Sequence, residues 1–272
     1  MMENIKIGFI GGGALCESLI KGLAGNLLPG ENIFVADHKE KRCEELRAKY
    51  GVRATTDAAT FRGAANVLIF AVKPKDATSA LRENAAGVAA DTVIVSVMAG
   101  VMLAKIEEVF PDNPCVRAMP NTPAAVGEGM TAYALGKNSQ EKHGKLTEEL
   151  FNAVGKTVCV AENLMDAVTG LSGSGPAFVF LMIDALAEGG VAAGLSRQNA
   201  ILMAAQTVLG AAKLLLETGE HPAVLKDKVT SPAGTTGAGV LALEKRGFRS
   251  AAAEAVLAAR DRSRELGLPK KT

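Results

Sequence analysis

Tryptophan is absent from this chain of 272 residues, and aromatic residues of every kind supply only 4 % of it. The core must therefore be packed from aliphatic side chains and alanine, which suits closely spaced helices. An excess of one charge is also missing: 30 Lys+Arg against 29 Asp+Glu leave a net +1, so nothing draws the chain in bulk to nucleic acid or to an anionic membrane. The four cysteines, Cys16, Cys43, Cys115 and Cys159, lie far apart and form no Cys-x-x-Cys pair. That spacing argues against a zinc site and a disulfide framework, and a reduced, cytoplasmic setting is expected. Repeats and low-complexity tracts are lacking. The apolar run over 1–28 is interrupted by Gly11-Gly12-Gly13 and then charged by Glu17 and Lys21, so neither a secretory signal nor a membrane span is expected.

What is present begins with strand, glycine turn and helix. Residues 5–10 form a short apolar run, Gly11-x-Gly13-x-x-Cys16 follows, and 14–24 reads as a helix. That is the context a dinucleotide-binding turn requires, with Gly11 for the tight turn, Gly13 for close approach of a pyrophosphate, and a helix N-terminus beneath the anion. Cys16 holds the third small position. A second strand over 32–36 ends at Asp37-His38-Lys39. An acid there favours the ribose hydroxyls of NAD(H), whereas Lys39, Lys41 and Arg42 favour the 2′-phosphate of NADP(H). The balance leans to NADP(H), with NAD(H) as the alternative. A solvated helix over 39–50 with Asp37 as its N-cap is the structural reading of the same residues.

Further strands are expected at 52–54, 66–72, 92–97, 115–118 and 129–135, with an edge strand at 156–160. Helices are expected at 75–84, 103–109 and 140–154. Alternation of this kind predicts a doubly wound α/β sheet whose ligand crevice lies at the strand C-termini. Lys73 and the small residues after Val97 fall at such ends. Asn121, in Met119-Pro120-Asn121-Thr122-Pro123, fits equally a contact to cofactor or substrate and the ordering of its own turn. The first domain is expected to span 1–161.

From residue 162 to 272 the strand pattern disappears. Helices are expected over 164–171, then, after a break at 173–176, over 177–193, with others at 197–217, 221–229, 240–245 and 249–265 and a frayed tail at 269–272. The 177–193 helix is apolar nearly all round, which places it at the centre of a helical domain or in a dimer interface. Between the last-but-two and last-but-one helices lies Thr230-Ser231-Pro232-Ala233-Gly234-Thr235-Thr236-Gly237. Alone, this stretch is more often a capped turn than an anion site, although its hydroxyls and helix-start N–H groups suit an anion.

Ile10–Leu15, Ala71-Val72-Lys73-Pro74, Arg117–Pro123, the Thr169-Gly170-Leu171-Ser172-Gly173-Ser174-Gly175-Pro176-Ala177 run and the threonine-rich stretch occur together and in order. Taken as a set they closely resemble the pyrroline-5-carboxylate reductase family, over essentially the whole chain. The resemblance implies a Rossmann-type domain followed by an all-helical domain that joins two subunits, with decamers of five dimers as a higher assembly. It implies NAD(P)H-dependent hydride transfer to the C=N carbon of 1-pyrroline-5-carboxylate, giving proline. Carried over by position, Ile10, Gly11, Gly12, Gly13, Ala14, Leu15, Asp37, Ala71, Val72, Lys73, Pro74, Val97, Met98 and Ala99 contact the cofactor, and Lys39 and Asn121 join them as candidates. Ser231, Gly234, Thr235 and Thr236 surround the substrate, Glu162 lies near it, and Thr236 is the candidate hydrogen-bond partner of the imine nitrogen. Two departures stand out: Ala233 replaces a glycine of the commoner pattern, and Gly237 replaces a bulky apolar residue.

The three histidines, His38, His143 and His221, stand outside the specific motifs, and no His–carboxylate relay is expected. A β-hydroxyacid dehydrogenase would need a lysine one helical turn past a glycine of its catalytic helix. Here Ala177 and Val179 follow Gly173 and Gly175.

Overall fold

The computed structural model describes residues 4–267; the tail at 269–272 lies outside them. In chain order the elements are β1 (Ile7–Ile10), α1 (Ala14–Leu23), β2 (Ile33–Ala36), α2 (Glu40–Tyr50), β3 (Arg53–Thr55), β4 (Val67–Phe70), α3 (Ala77–Glu83), β5 (Val93–Ser96), α4 (Leu103–Val109) and β6 (Cys115–Met119). Then come β7 (Gly129–Leu135), α5 (Glu141–Asn152), β8 (Gly155–Cys159), α6 (Met165–Val168), α7 (Gly175–Ala192), α8 (Arg197–Thr218), α9 (Pro222–Lys228), α10 (Thr235–Lys245) and α11 (Phe248–Gly267).

β1, β4 and the Val93–Val95 part of β5 are apolar because every residue in these strands is buried, Ser96 of β5 included, as strands covered on both faces require. The described residues build one eight-stranded sheet in the order β3-β2-β1-β4-β5-β6-β7-β8. β1 pairs in parallel with both β2 and β4, so the strand order reverses beside β1 and opens a crevice at the carboxyl ends. β7 runs antiparallel to β6, and β8 follows β7 in parallel at the edge. One apolar core carries Leu19, Ile20 and Leu23 of α1, Leu46 of α2 and Phe151 of α5. A second core carries Leu81 of α3, Ile106 of α4 and Met165 of α6, with Phe70 and Phe110 tilted together.

The chain divides into two compact units. One runs up to Ser174 and takes in the chain from Ala258 onward; the other is Gly175–Leu257. In the first, Ser263 of α11 donates to Asp166 of α6 at 2.7 Å. In the second, α7 packs on α8 through small residues, Ala187, Ala200 and Ala204. α8 starts on Ser196, whose hydroxyl accepts from the Asn199 N–H.

Three local expectations are corrected and one is narrowed. The glycines at 173–176 do not break the helix: the chain winds through a π turn, Thr169–Gly173, in which the Ser174 N–H reaches the Thr169 carbonyl. Pro176 then sits in the first turn of α7, where its missing N–H costs nothing. α10 begins at Thr235 rather than 240, because the Gly234 cap outweighs the weak helix propensity of two threonines and Gly237. Of the two settings expected for α7, the exposed Phe180 and Leu181 exclude the centre of its own unit and leave the dimer interface open. Asp37 does not cap α2, whose N-cap is Lys39.

Candidate active site

At the end of β1 the chain turns through Gly11 at φ 103, a conformation that a side chain resists; a Cβ there would also meet the Ala71 carbonyl oxygen at 2.8 Å. The strand ends are locked together, with the Gly11 N–H on the Ala36 carbonyl and the Ala71 N–H on the Ile10 carbonyl, both at 2.8 Å. Gly13 is the N-cap of α1, has no side-chain cap, and faces open space where a Cβ would meet nothing within 4 Å. A bare, uncapped helix N-terminus beneath an open surface is what a pyrophosphate needs, so the residues fit a dinucleotide.

The cleft over this turn measures about 1050 Å³ and is walled by Ile10, the three glycines, Asp37, Lys39, Ala71, Val72 and Lys73. Cationic side chains, among them Lys41, Arg62 and Lys75, line it as well. Ala14 and Leu15 form the first turn of α1, and Pro74 opens a short 3₁₀ turn. Val97 and Met98 are buried after β5, and Ala99 is exposed. These five and Pro74 are not in the cleft wall.

Asp37 is committed to the glycine turn: Oδ2 accepts from the Gly12 N–H at 2.9 Å and Oδ1 from the Lys39 N–H at 3.0 Å. Arg42 gives Nε to the Gly12 carbonyl at 2.7 Å and Nη2 to Glu17 at 2.5 Å. Lys49, then Arg42, hold the Glu17 carboxyl down at about 2. Asn121 spans two motifs, donating to the Ser172 carbonyl at 3.0 Å and accepting from the Met130 N–H at 2.9 Å. Glu162 Oε1 accepts from the Leu103 N–H at the start of α4 at 2.6 Å and pairs with buried Arg117 at 3.3 Å. The Glu17–Arg42 and Glu162–Arg117 pairs join separate elements, so no local spacing in the sequence reveals them.

The helical unit contains the second set. The Gly234 N–H closes a turn onto the Ser231 carbonyl at 3.0 Å, with Pro232 and Ala233 between them. Ala233 has φ 56 and is the one non-glycine with positive φ among the described residues. Proline second and a left-handed residue third is the type II pattern, which prefers glycine where Ala233 stands. A Cβ on Gly234 would run into Ser231 Oγ and make that hydroxyl turn aside, with the Ser231 carbonyl oxygen at 3.1 Å. α10 then starts without a side-chain cap, placing Thr235 and Thr236 in its first turn. Thr230 spends its hydroxyl on the Lys226 carbonyl at 2.7 Å. The result is a cluster of hydroxyls at an uncapped helix N-terminus, suited to a carboxylate.

The histidines are structural or peripheral. His143 completes the capping box of α5, His221 caps α9, and His38 is exposed beside Asp37. Burial pushes the Cys16 and Cys115 thiols up, so neither is a nucleophile.

Comparison with known proteins assigns both halves. A family model for pyrroline-5-carboxylate reductase dimerisation matches residues 162–266, and one for NADP oxidoreductase, coenzyme F420-dependent, matches 6–100. A Synechocystis pyrroline-5-carboxylate reductase is 51% identical over 97% of this chain and 99% of its own. An Arabidopsis thaliana protein of the same name is 46% identical over 97% of this chain and 96% of its own. A solved pyrroline-5-carboxylate reductase from Coxiella burnetii superposes with a TM-score of 0.93 at 33% identity, covering 99% of this chain and 100% of that one. A Plasmodium falciparum pyrroline carboxylate reductase with NADP bound gives 0.86 at 32% identity, over 98% and 100%.

Proposed function

The chain belongs to the pyrroline-5-carboxylate reductase family of NAD(P)-dependent oxidoreductases, and from that premise we propose how its own residues carry the reaction. It reduces the C=N bond of 1-pyrroline-5-carboxylate to L-proline, the last step of proline biosynthesis. Residues 1–161 take the cofactor and 162–272 take the substrate and join subunits. NADP(H) is the preferred coenzyme and NAD(H) the second. NAD(P)H, when bound, supplies the hydride. The glycine turn and the α1 N-terminus receive the pyrophosphate, with Asp37, Lys39 and Ala71–Pro74 around the rest.

A cyclic iminium is already an electrophile, so the protein has mainly to orient it. Good orientation alone is worth roughly 7–11 kcal/mol of barrier. In this reading Ser231 and Thr235, with the first N–H groups of α10, hold the substrate carboxylate. Thr236 hydrogen-bonds the ring nitrogen as it becomes an amine. The observation that carries the assignment is the uncapped start of α10, with its hydroxyl residues gathered there. Five dimers forming a decamer in the cytoplasm is the proposed working state.

Absorbance of NADPH during turnover of pyrroline-5-carboxylate tests the reading. Wild type is expected to oxidise the coenzyme, and Thr236→Ala to lose roughly a hundredfold in kcat with coenzyme binding intact. An unchanged kcat removes Thr236 from this role. Coenzyme binding without turnover in the wild type would instead point to a non-catalytic NAD(P)-binding protein.

A further inference from the structure

Gly12 is gripped on both sides by side chains from the second strand–helix turn, which hold the two peptide groups that flank it. Its N–H donates to Asp37 at 2.9 Å, and its carbonyl accepts from Arg42 Nε at 2.7 Å. A glycine peptide in a tight turn is otherwise free to rotate. Here rotation of either peptide beside Gly12 would break a charge-assisted bond.

Arg42 is itself immobilised. Nη2 lies on Glu17 at 2.5 Å and Nη1 on Glu45 at 3.2 Å. Glu17, in the first turn of α1, also accepts from Lys49 Nζ at 2.8 Å and from the Tyr50 hydroxyl at 2.9 Å. Arg42 and Glu17 keep only 23% and 25% of their side-chain surface exposed, so the pair is shielded more than a surface ion pair. α1 and α2 are thereby tied together across the turn that faces the cleft.

Charge alone would make Arg42 a ligand of an adenosine 2′-phosphate. Its guanidinium, however, is engaged at all three nitrogens. Lys39 and Lys41 line the same cleft and are exposed.

We propose that Arg42, held by Glu17, is a positioning residue that fixes the Gly12–Gly13 peptide for the pyrophosphate common to both coenzymes, and that Lys39 and Lys41, not Arg42, read the 2′-phosphate. The proposal rests on the cofactor reading given above.

Fluorescence of the reduced nicotinamide, excited where no protein side chain absorbs, reports coenzyme binding. Dissociation constants for NADPH and NADH are measured on the full chain, together with thermal unfolding without coenzyme. Losing a hydrogen bond from a charged donor predicts that Arg42→Ala weakens both coenzymes by about tenfold, with their ratio unchanged. Arg42→Lys should lose nearly as much, because an ammonium cannot span the Gly12 carbonyl and Glu17 as the planar fork does. Glu17→Gln leaves Arg42 in place but loosens it, so a smaller, again equal, loss is expected. The Lys39→Ala/Lys41→Ala double variant should weaken NADPH alone. A loss confined to NADPH in Arg42→Ala overturns the proposal, as does a lowered Tm with both dissociation constants unchanged. Wild-type protein that binds neither coenzyme overturns the cofactor reading and the proposal with it.

Discussion

The two compact units obtain their cohesion from different sources. The unit that runs up to Ser174 buries Phe9, Phe70 and Phe151 completely, between a sheet and helices of the same chain. Within Gly175–Leu257 the buried apolar residues are three alanines, while Leu181, Leu202 and Leu216 are 71%, 66% and 75% exposed. Each leucine left in water forgoes roughly 1.5–3 kcal/mol of burial. Two stretches that contain α7 and α8, Glu162–Ala192 and Arg197–Thr218, are long and apolar enough to cross a membrane by length and composition alone. The dimerisation family model spans both. A helix apolar on every side therefore marks a core shared between subunits as readily as a lipid-facing one, and the dimerisation match favours the shared core here.

The most direct way to break this contrast is Leu181→Asp on the exposed side of α7. Light scattering should show dissociated protein, with activity lost alongside it. Wild-type Tm should rise with protein concentration, as subunit linkage requires. Phe151→Ala, in the self-contained core, should cost about 3–5 kcal/mol with the assembly intact. Leu181→Asp protein that kept its assembly and activity would show that a second copy does not cover this face.

The sequence was most readable where one element decides its own structure. Strand runs such as Val67–Phe70 are apolar because both faces are covered, and the glycine turn sits where a strand must give way to a helix. Legibility failed where partners are remote. Nothing near Arg42 in the sequence reveals its bonds to Gly12 and Glu17, and Glu162 reaches Arg117 and the start of α4 across the fold. Asn121 allowed two readings from its motif; the structure places its amide between the Ser172 carbonyl and the Met130 N–H. Propensity misjudged α10, because threonines and glycines at a helix start read as turn until the Gly234 cap and its hydrogen bond to the Ser231 carbonyl are seen. The antiparallel direction of β7 had no local signal at all.

A second contrast between the units is electrostatic, and acid sharpens it. Glu17 is held near 2 by Lys49 and Arg42, against an ordinary value of 4.5. A depressed folded pKa stabilises above the unfolded value and loses that contribution as pH falls toward the folded one. The Tm difference between wild type and Glu17→Gln should thus be full at neutral pH and close between about 4.5 and 2. In the helical unit, Arg197–Asp184 is about half exposed on both sides. Asp184→Asn should change stability by only about 0–1 kcal/mol. A Glu17→Gln gap that did not vary with pH would remove Glu17's charge from the stability of the first unit.

The smallest effect comes from the one strained residue of the helical unit. Ala233 is left-handed at φ 56 in the turn that closes from Ser231 to Gly234. A Cβ in that region costs about 1–2 kcal/mol. Ala233→Gly relieves the clash but gives the unfolded chain more freedom, which takes back roughly 0.5–1 kcal/mol. The balance is a gain on the order of 0–1 kcal/mol, and a Tm higher by up to about 3 °C. The side chain of Ala233 is exposed and fills no core, so no packing loss offsets the relief. The same substitution loosens the turn that sets Gly234, Thr235 and Thr236 at the start of α10, and KM for the imine substrate should rise slightly while coenzyme affinity stays put. A Tm that fell on Ala233→Gly would mean that the alanine is not strained there, and that the restriction it places on the unfolded chain outweighs any cost in the turn.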